Sequence, residues 1–189
     1  MNKLTIHDLI SSQAQAWKEP SLPGPQWPPS IYYRYLAIIT QKMKPEIFLE
    51  LGTCGGGASR HVATKNPDVK VISIDVTKLP QVSEIACPNF QFILGDSIET
   101  AKTLGPQYQG KIGIIFIDTI HEYQHTMNEF NAWKSYMAPG GIMFFDDLYR
   151  QGMDRVWKEL PETKTEFHAL SKMHIGGSPT DGGFGAIIL

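Results

Sequence analysis

Residues 47–60 of this chain of 189 residues read IFLELGTCGGGASR, and this stretch decides the fold. The first five residues are mostly apolar and have the length of a buried strand. The glycines that follow allow the backbone to turn tightly and to approach a ligand closely, and a helix is predicted after the turn. In open α/β sheets, ligands bind beyond the carboxyl ends of the strands. We therefore expect this turn to line a binding pocket.

A short apolar run followed by a helical stretch recurs along the chain. The five runs of this kind are Ile47–Leu51, Val71–Ile74, Phe90–Leu94, Ile112–Ile117 and Ile142–Phe145. Since they are nearly continuous in apolar residues and lie far enough apart for crossover helices, they favour a parallel sheet with both faces covered. Thr165–Ala169 and Phe184–Leu189 are two further candidate strands, which predict a terminal antiparallel hairpin. The expected architecture is a doubly wound α/β sheet of seven strands.

Length and composition indicate one globular domain. The chain has 42% hydrophobic and 19% charged residues, which is typical of a folded protein, and its length suits one domain better than two. We expect residues 1–29 to form an N-terminal helix and a proline-rich arm, and residues 30–189 to form the core. The arm could cover an active site, pack across the partner of a homodimer or lie along its own domain.

Charge and cysteine content disfavour several functional classes. A formal net charge of -2 gives no general attraction to nucleic acid or to an anionic membrane, so we expect a small-molecule substrate. Cys54 and Cys87 are too few for a disulfide scaffold and fit a reducing compartment. No apolar run approaches membrane-spanning length, and residues 1–10 do not have the apolar core of a signal peptide. These features predict a cytoplasmic protein without a nucleic-acid or membrane partner.

The glycine turn does not match two common nucleotide-binding motifs. A P-loop needs a lysine directly after the glycines, and none follows here. The dinucleotide pattern GxGxxG is absent because Thr53 and Cys54 separate Gly52 from Gly55. A nicotinamide-dependent oxidoreductase is therefore disfavoured.

Acidic residues follow the next two predicted strands. Asp75 ends the second strand, and its carboxylate can accept two hydrogen bonds from ribose hydroxyls. Asp96 and Ser97 lie just beyond the third strand. Each of these residues alone could equally be a helix cap or a turn residue. Their occurrence at consecutive strand ends favours a shared ligand site.

Titratable side chains also follow the fourth and fifth predicted strands. Asp118 comes directly after the fourth strand and His121 three residues later, so both are expected to face the pocket. Asp146 and Asp147 follow the fifth strand. Asp146 or Asp147 could instead cap a helix beginning near Tyr149, and His121 could be a supporting hydrogen-bonding residue or a cap.

These motifs together resemble class I S-adenosylmethionine-dependent methyltransferases. Glu50, Gly52 and Gly56 match the first motif of that class, acidic-x-Gly-x-x-x-Gly. The second half contains Asp-x-x-His-x-Tyr, then Pro-Gly-Gly, then an acidic pair. It is similar to the small-molecule O-methyltransferases, in particular the group with cephalosporin-hydroxylase-like and macrolide-sugar O-methyltransferase members. The resemblance covers roughly residues 45–150.

The resemblance implies a Rossmann-like fold and S-adenosylmethionine (SAM) as the methyl donor. The implied cofactor-binding residues are Glu50, Gly52, Thr53, Gly56, Asp75, Asp96, Ser97 and Asp118. The implied reaction is O-methylation of a small-molecule hydroxyl, such as that of a sugar, a polyketide or a phenol.

Metal-dependent members of the group hold a divalent ion at two of these strand ends. Carried over to this sequence, the ligands are Asp118, Asp146 and Asp147, and oxygen ligands suit Mg²⁺. Such an ion lowers the pKa of the acceptor oxygen, and His121, together with Asp118, is then the expected catalytic group. Methyl transfer without a metal also remains feasible, because the sulfonium is already activated.

Residues 121–125, HEYQH, also satisfy the H-E-x-x-H signature of zinc proteases. That reading requires the pentapeptide to lie within a helix, yet His121 comes only three residues after the predicted strand end. It also requires a third ligand, and Glu129 lies too close in sequence for the usual pattern. A zinc metallohydrolase is the weaker alternative, and a non-catalytic SAM-binding protein is another.

Overall fold

The computed structural model describes residues 1–20, 22, 31–150, 152–161, 163–171 and 182–189. Its helices are α1 (Ile6–Ala16), α2 (Ile31–Met43), α3 (Gly57–Lys65), α4 (Ser97–Leu104), α5 (Tyr123–Trp133), α6 (Met153–Glu159) and α7 (His168–Ser171). Its strands are β1 (Ile47–Leu51), β2 (Lys70–Asp75), β3 (Phe90–Leu94), β4 (Ile112–Ile117), β5 (Met137–Asp146), β6 (Lys164–Glu166) and β7 (Phe184–Ile188). Short 3-10 helices cover Pro80–Glu84, Gly105–Tyr108 and Lys134–Tyr136.

The strands form one sheet in the order β3-β2-β1-β4-β5-β7-β6. All pairings from β3 across to β5 are parallel, whereas β7 runs antiparallel to both β5 and β6. The predicted seven-stranded, mostly parallel sheet with a C-terminal antiparallel hairpin is therefore confirmed. Because the chain moves outward from β1 to β3 and then returns to β4, the strand order reverses between β1 and β4. Ligands of such sheets bind outside the carboxyl ends of the strands at this point.

Helices cover both faces of the sheet, as the apolar strands predict. Successive strand residues point to opposite faces, so Phe48 belongs to a core cluster with residues of α1, α2 and α3, while Leu49 belongs to one with residues of α4, α5 and α6. The ring of Tyr32 in α2 stacks on Phe184 in β7 with centroids 4.4 Å apart. On the other face, Trp133 is fully buried. Burying a side chain such as Phe48 contributes about 1.5–3 kcal/mol, so both helical layers stabilise the sheet substantially.

The first strand of the predicted hairpin is shorter than expected. Thr165–Ala169 was expected to be extended throughout, but β6 ends at Glu166 and α7 begins at His168. The Phe167 backbone N–H donates to the carbonyl oxygen of Phe184, and the carbonyl of Phe167 then accepts from Leu170, which starts a turn. The Phe167 side chain is fully buried, so the chain bends where this ring enters the core.

Two helix boundaries also differ from the sequence prediction. The N-terminal helix begins at Ile6 because Thr5 and Asp8 form a reciprocal capping box. The helix expected near Tyr149 begins at Met153, after Gly152 in the left-handed conformation. Neither Asp146 nor Asp147 is therefore the cap of that helix.

Most of the proline-rich arm and of the C-terminal glycine-rich loop lies outside the described residues. Of residues 20–29, the structure describes Pro20 and Leu22, and of residues 176–183 it describes Gly182 and Gly183. Within the described ranges, no helix combines the length and the apolar character needed to cross a membrane.

Candidate active site

Two cavities open side by side at the carboxyl edge of the sheet. The central cavity, about 740 Å³, lies over the ends of β1, β4 and β5, and the outer cavity, about 260 Å³, lies over the ends of β1 to β4. The sequence-predicted residues that line the central cavity are Glu50, Thr53, Asp118, His121, Asp146 and Asp147. Those that line the outer cavity are Gly52, Asp75, Asp96, Ser97 and Asp118. Cys54, Asp118 and Thr119 line both cavities, so the two are adjoining parts of one site.

Gly52, at the end of β1, permits a close contact between the first and fourth strand ends. Its φ angle is +90°, and a Cβ atom there would overlap the backbone carbonyl of Asp118. Gly56 lines neither cavity; it has φ +77° and directly precedes α3. Its contribution is the turn that leads into the helix, whose N-terminal Gly57 lines the central cavity. The partial positive charge of a helix N-terminus favours an anionic ligand group there.

Asp75 holds the glycine turn in place. Its Oδ2 atom accepts hydrogen bonds from the backbone N–H groups of Thr53 and Cys54, both at 2.9 Å, and Oδ1 accepts from Thr77 at 2.9 Å. Each carboxylate oxygen has two lone pairs, so Oδ1 keeps capacity for a ligand hydroxyl. Asp75 thus orders the turn in addition to lining the outer cavity.

Glu50 is a buried acid at the floor of the central cavity. Its Oε2 atom accepts hydrogen bonds from Ser59 and Ser73, both at 2.5 Å. Burial raises the pKa of Glu50 to about 8; the two serines oppose this rise, and the charges of Asp118 and Asp75 add to it. A cationic ligand group beside Glu50 would favour its ionised form, so this position suits an ammonium group.

His121 lies between two carboxylates of the central cavity. Its Nε2 atom is 3.2 Å from Asp118 Oδ1 and 3.4 Å from Asp147 Oδ2, and the Arg150 Nε atom is 2.5 Å from the same Asp147 oxygen. Both His121 and Asp147 have positive φ angles, +53° and +54°, which are uncommon outside glycine. The backbone is thus held in an unfavourable conformation at the point where these groups meet.

Asp146 brings a third carboxylate into the same region. Burial raises its pKa well above the ordinary value, and the charges of Asp118 and Asp147 raise it further. Within the described ranges, no three His, Cys, Asp or Glu side chains are grouped closely enough to hold a metal as they stand. The donor chemistry nevertheless fits a hard ion, since three carboxylates line one cavity and the charges of Asp118 and Asp147 raise the pKa of Asp146. Asp118, Asp146 and Asp147 remain the predicted ligands.

Asp96 and Ser97 both have structural partners. Asp96 Oδ1 caps α4 by accepting from the backbone N–H groups of Ile98 and Glu99, each at 2.9 Å. The Ser97 hydroxyl donates to Glu129 Oε1 at 2.5 Å. The adenine contact expected of these two residues stays a prediction, although both line the outer cavity.

Tyr33 and Glu129 are among the site residues that the sequence did not predict. Tyr33 in α2 lines the central cavity with its ring against Gly57, and burial together with the charges of Asp118 and Glu50 raises its pKa. No sequence motif marks it. Glu129 is fully buried in α5 beneath the outer cavity. Its spacing from the buried Thr126 and Trp133 places it on the apolar face of that helix, which was the available signal.

The HEYQH pentapeptide does not adopt the arrangement of a zinc protease. Helix α5 begins at Tyr123, so His121 and Glu122 precede it, and His121 has a positive φ angle. Of the two histidines, His125 lies in the helix and His121 does not. The His125 side chain points to Glu129, with its Nε2 atom 3.2 Å from Oε1. The two histidines therefore do not share one face of a helix.

The strand order, the glycine turn and the acids at successive strand ends define a Rossmann-like α/β fold with a ligand site at its carboxyl edge. A family model described as "Methyltransferase domain" matches residues 49–148, more than half of the chain. The chain belongs to this methyltransferase family, as its motifs predicted. No curated protein is significantly similar in sequence.

Solved structures of methyltransferases share the fold. The O-methyltransferase TomG from Streptomyces achromogenes, in complex with SAM, is 19% identical with a TM-score of 0.66, covering 96% of this chain and 89% of that one. The O-methyltransferase from Bacillus cereus, in complex with S-adenosylhomocysteine (SAH), is 17% identical with a TM-score of 0.64, covering 97% and 90%. MycE from the mycinamycin biosynthetic pathway, with Mg and SAH, is 20% identical with a TM-score of 0.53, covering 75% of this chain and 40% of MycE.

Proposed function

We propose that the protein transfers a methyl group from SAM to a hydroxyl oxygen of a small molecule. The observation that carries this proposal is the adjoining pair of cavities, which share Cys54, Asp118 and Thr119 at the carboxyl edge of a methyltransferase sheet. A cofactor with its nucleoside in the outer cavity can extend its sulfonium across Asp118. The acceptor then enters the larger central cavity.

The outer cavity has the chemistry that a nucleoside needs. Val76 and Ile120 flank it with side chains that are 69% and 59% exposed, although both are apolar. Apolar side chains left open at a pocket favour the faces of an aromatic base. Asp75 supplies a carboxylate for the ribose hydroxyls.

The junction of the cavities suits the amino acid part of SAM. Glu50 faces the position where an α-ammonium group would lie, and the N-terminus of α3 favours the carboxylate. Binding of the ammonium group favours the ionised form of Glu50, so we expect a proton to be released when SAM binds below about pH 8.

The central cavity carries the groups for activating a hydroxyl. Asp118, Asp146 and Asp147 would hold a divalent ion such as Mg²⁺, which lowers the pKa of a bound hydroxyl when it is present. His121 takes the acceptor proton, and the carboxylates of Asp118 and Asp147 stabilise the resulting imidazolium. Alignment of the acceptor oxygen with the methyl group provides the remaining acceleration. The relatives TomG and the Bacillus cereus enzyme are described as O-methyltransferases, which supports oxygen as the acceptor.

The proposal is tested by incubating the protein with SAM and a panel of sugar, polyketide and phenolic hydroxyl compounds, with Mg²⁺ or with EDTA, and measuring SAH. We expect SAH formation with at least one acceptor and a marked loss in EDTA. Asp146→Asn should abolish the response to Mg²⁺ without weakening SAH binding. Equal rates in Mg²⁺ and EDTA for both proteins would remove the metal from the proposal, and SAM-independent hydrolysis of the panel would contradict methyl transfer.

Three further predictions from the sequence belong to this proposal. They are a single domain over residues 1–189, a cytoplasmic location and a homodimer. Light scattering of the purified protein measures the oligomeric state directly, and a monomeric mass would exclude the homodimer.

A further inference from the structure

Arg150 is a cation at the mouth of the central cavity for which the proposed reaction has no role. Among the residues that the structure describes, it is the only arginine or lysine that lines this cavity. Its Nε atom lies 2.5 Å from Asp147 Oδ2, and its backbone N–H donates to the Asp147 carbonyl oxygen at 3.0 Å. A guanidinium keeps its charge at every pH that a protein meets. A permanent cation therefore holds one of the three carboxylates proposed as Mg²⁺ ligands.

The two carboxylate oxygens of Asp147 have different surroundings. Oδ1 lies against Gly182, where an added Cβ atom would overlap it. Oδ2 is approached by Arg150 Nε at 2.5 Å and by His121 Nε2 at 3.4 Å. A carboxylate oxygen has two lone pairs, and a metal ion bound to Oδ2 needs one of them. One of the two nitrogen groups therefore has to move away from Oδ2 when a metal binds there.

Arg150 is the group that can move. Its side chain is 62% exposed, so it can turn into water, and an exposed ion pair contributes little that has to be given up. The His121 side chain is 13% exposed and also lies 3.2 Å from Asp118 Oδ1, which holds it inside the cavity. In addition, a guanidinium and a divalent ion on the same oxygen repel each other.

We infer that Arg150 and a divalent ion exchange at Asp147, so that Arg150 sets the metal affinity of the central cavity. This inference rests on the proposed function, because that proposal assigns Asp147 to the metal. The coupling is reciprocal: the metal releases the guanidinium, and the guanidinium weakens metal binding by the same factor. Arg150 thus compensates the charge of Asp147 until a metal takes its place.

The test measures Mn²⁺ binding to the full chain by electron paramagnetic resonance of the free ion. In Arg150→Met, which keeps an unbranched side chain without the charge, the dissociation constant of Mn²⁺ should fall about fivefold, the size of one exposed ion pair. Arg150→Lys, which keeps the charge, should stay close to the unmodified protein. A merely structural role of Arg150 would give the opposite sign, because a less ordered site binds metal more weakly.

Arg155→Met is the matched control. The Arg155 side chain is also 62% exposed, pairs with Glu159 at 2.8 Å and lines neither cavity, so this variant should bind Mn²⁺ like the unmodified protein. Unchanged or weaker Mn²⁺ binding in Arg150→Met would overturn the inference, and so would an equal gain in Arg155→Met.

The same titrations separate this inference from the proposed function. If Mn²⁺ binds to the unmodified protein and to Arg150→Met with equal affinity, the inference falls alone and the proposed metal ligands stand. If none of the proteins binds Mn²⁺, the inference falls together with those ligands. SAH formation in EDTA would show that methyl transfer itself stands in that case.

Discussion

The carboxylates of the two cavities differ in their surroundings. Around the outer cavity, Asp75, Asp96 and Glu129 receive hydrogen bonds from backbone or side-chain groups of the protein itself. Around the central cavity, Asp118 and Asp146 crowd against a third carboxylate, and burial and like charge raise the pKa of Asp146. The outer cavity is thus ordered by hydrogen bonds within the protein, whereas like charge is concentrated around Asp146 in the central cavity.

The largest effect should come from the central cavity. His121→Ala removes the group that takes the acceptor proton, and loss of a general base typically costs about 10²–10⁴-fold in rate. The affinity for SAH should stay unchanged, because His121 is not among the residues proposed to contact the cofactor, such as Asp75, Glu50 and the start of α3. The measurement is the rate of SAH formation at saturating SAM, with His7→Ala, at an exposed position, as the control. Equal rates for the two variants would assign the proton transfer elsewhere.

The next effect concerns the pH dependence of stability. The folded-state pKa of Glu50, about 8, lies above its ordinary value of 4.5, so the folded protein binds the extra proton. This stabilisation is fully present below pH 4.5 and is lost as the pH rises to about 8, up to about 4 kcal/mol. Glu50→Gln is neutral at every pH and should lack this decline. Denaturant unfolding of both proteins at pH 5 and pH 8 measures this decline. An equal change in the free energy of unfolding for the two proteins would contradict the raised pKa of Glu50.

The order of the glycine turn can be tested at Gly52. Gly52→Ala should destabilise the protein by more than the about 1–2 kcal/mol that a left-handed backbone costs, because its Cβ would also overlap the Asp118 carbonyl. Gly110→Ala is the matched control, since Gly110 has φ +71° with nothing within 4 Å of an added Cβ. Thermal unfolding of the two variants compares them. Equal losses of stability in the two variants would mean that the close approach of β1 and β4 does not contribute to the effect of Gly52→Ala.

The smallest effect should be at Glu122. In a zinc protease, the glutamate of H-E-x-x-H is the general base. Here Glu122 is exposed, precedes α5 and lines neither cavity, so Glu122→Gln should change stability by no more than about 0.5 kcal/mol and leave methyl transfer unaffected. A large loss of activity in Glu122→Gln would reopen the metallohydrolase alternative.

The fold could be predicted from the sequence because each strand of the parallel part is marked by a local run of apolar residues. Each of the first five runs became a strand, and the acids at the strand ends met at one edge because parallel strands end together. The strand predicted at Thr165–Ala169 was too long, since burial of Phe167 is a tertiary effect. The N-terminal helix was predicted without its cap at Thr5.

The contacts that site residues make with one another could not be predicted from the sequence. Glu129 acquires its partners Ser97 and Thr119 only when α4, α5 and the end of β4 meet. Tyr33 enters the central cavity through the packing of α2 against α3. Asp96 caps α4, and the sequence alone does not separate this role from ligand binding. Spacing predicts which residues reach the edge, and tertiary contacts decide what each one does there.

The most direct measurement of the central claim is a calorimetric titration of the full chain with SAH, repeated with Asp75→Asn. We expect saturable binding with one SAH per chain, weakened in Asp75→Asn because the carboxylate orders the glycine turn and lines the cavity proposed for the nucleoside. The absence of any SAH binding by the unmodified protein would contradict a SAM site at this edge of the sheet.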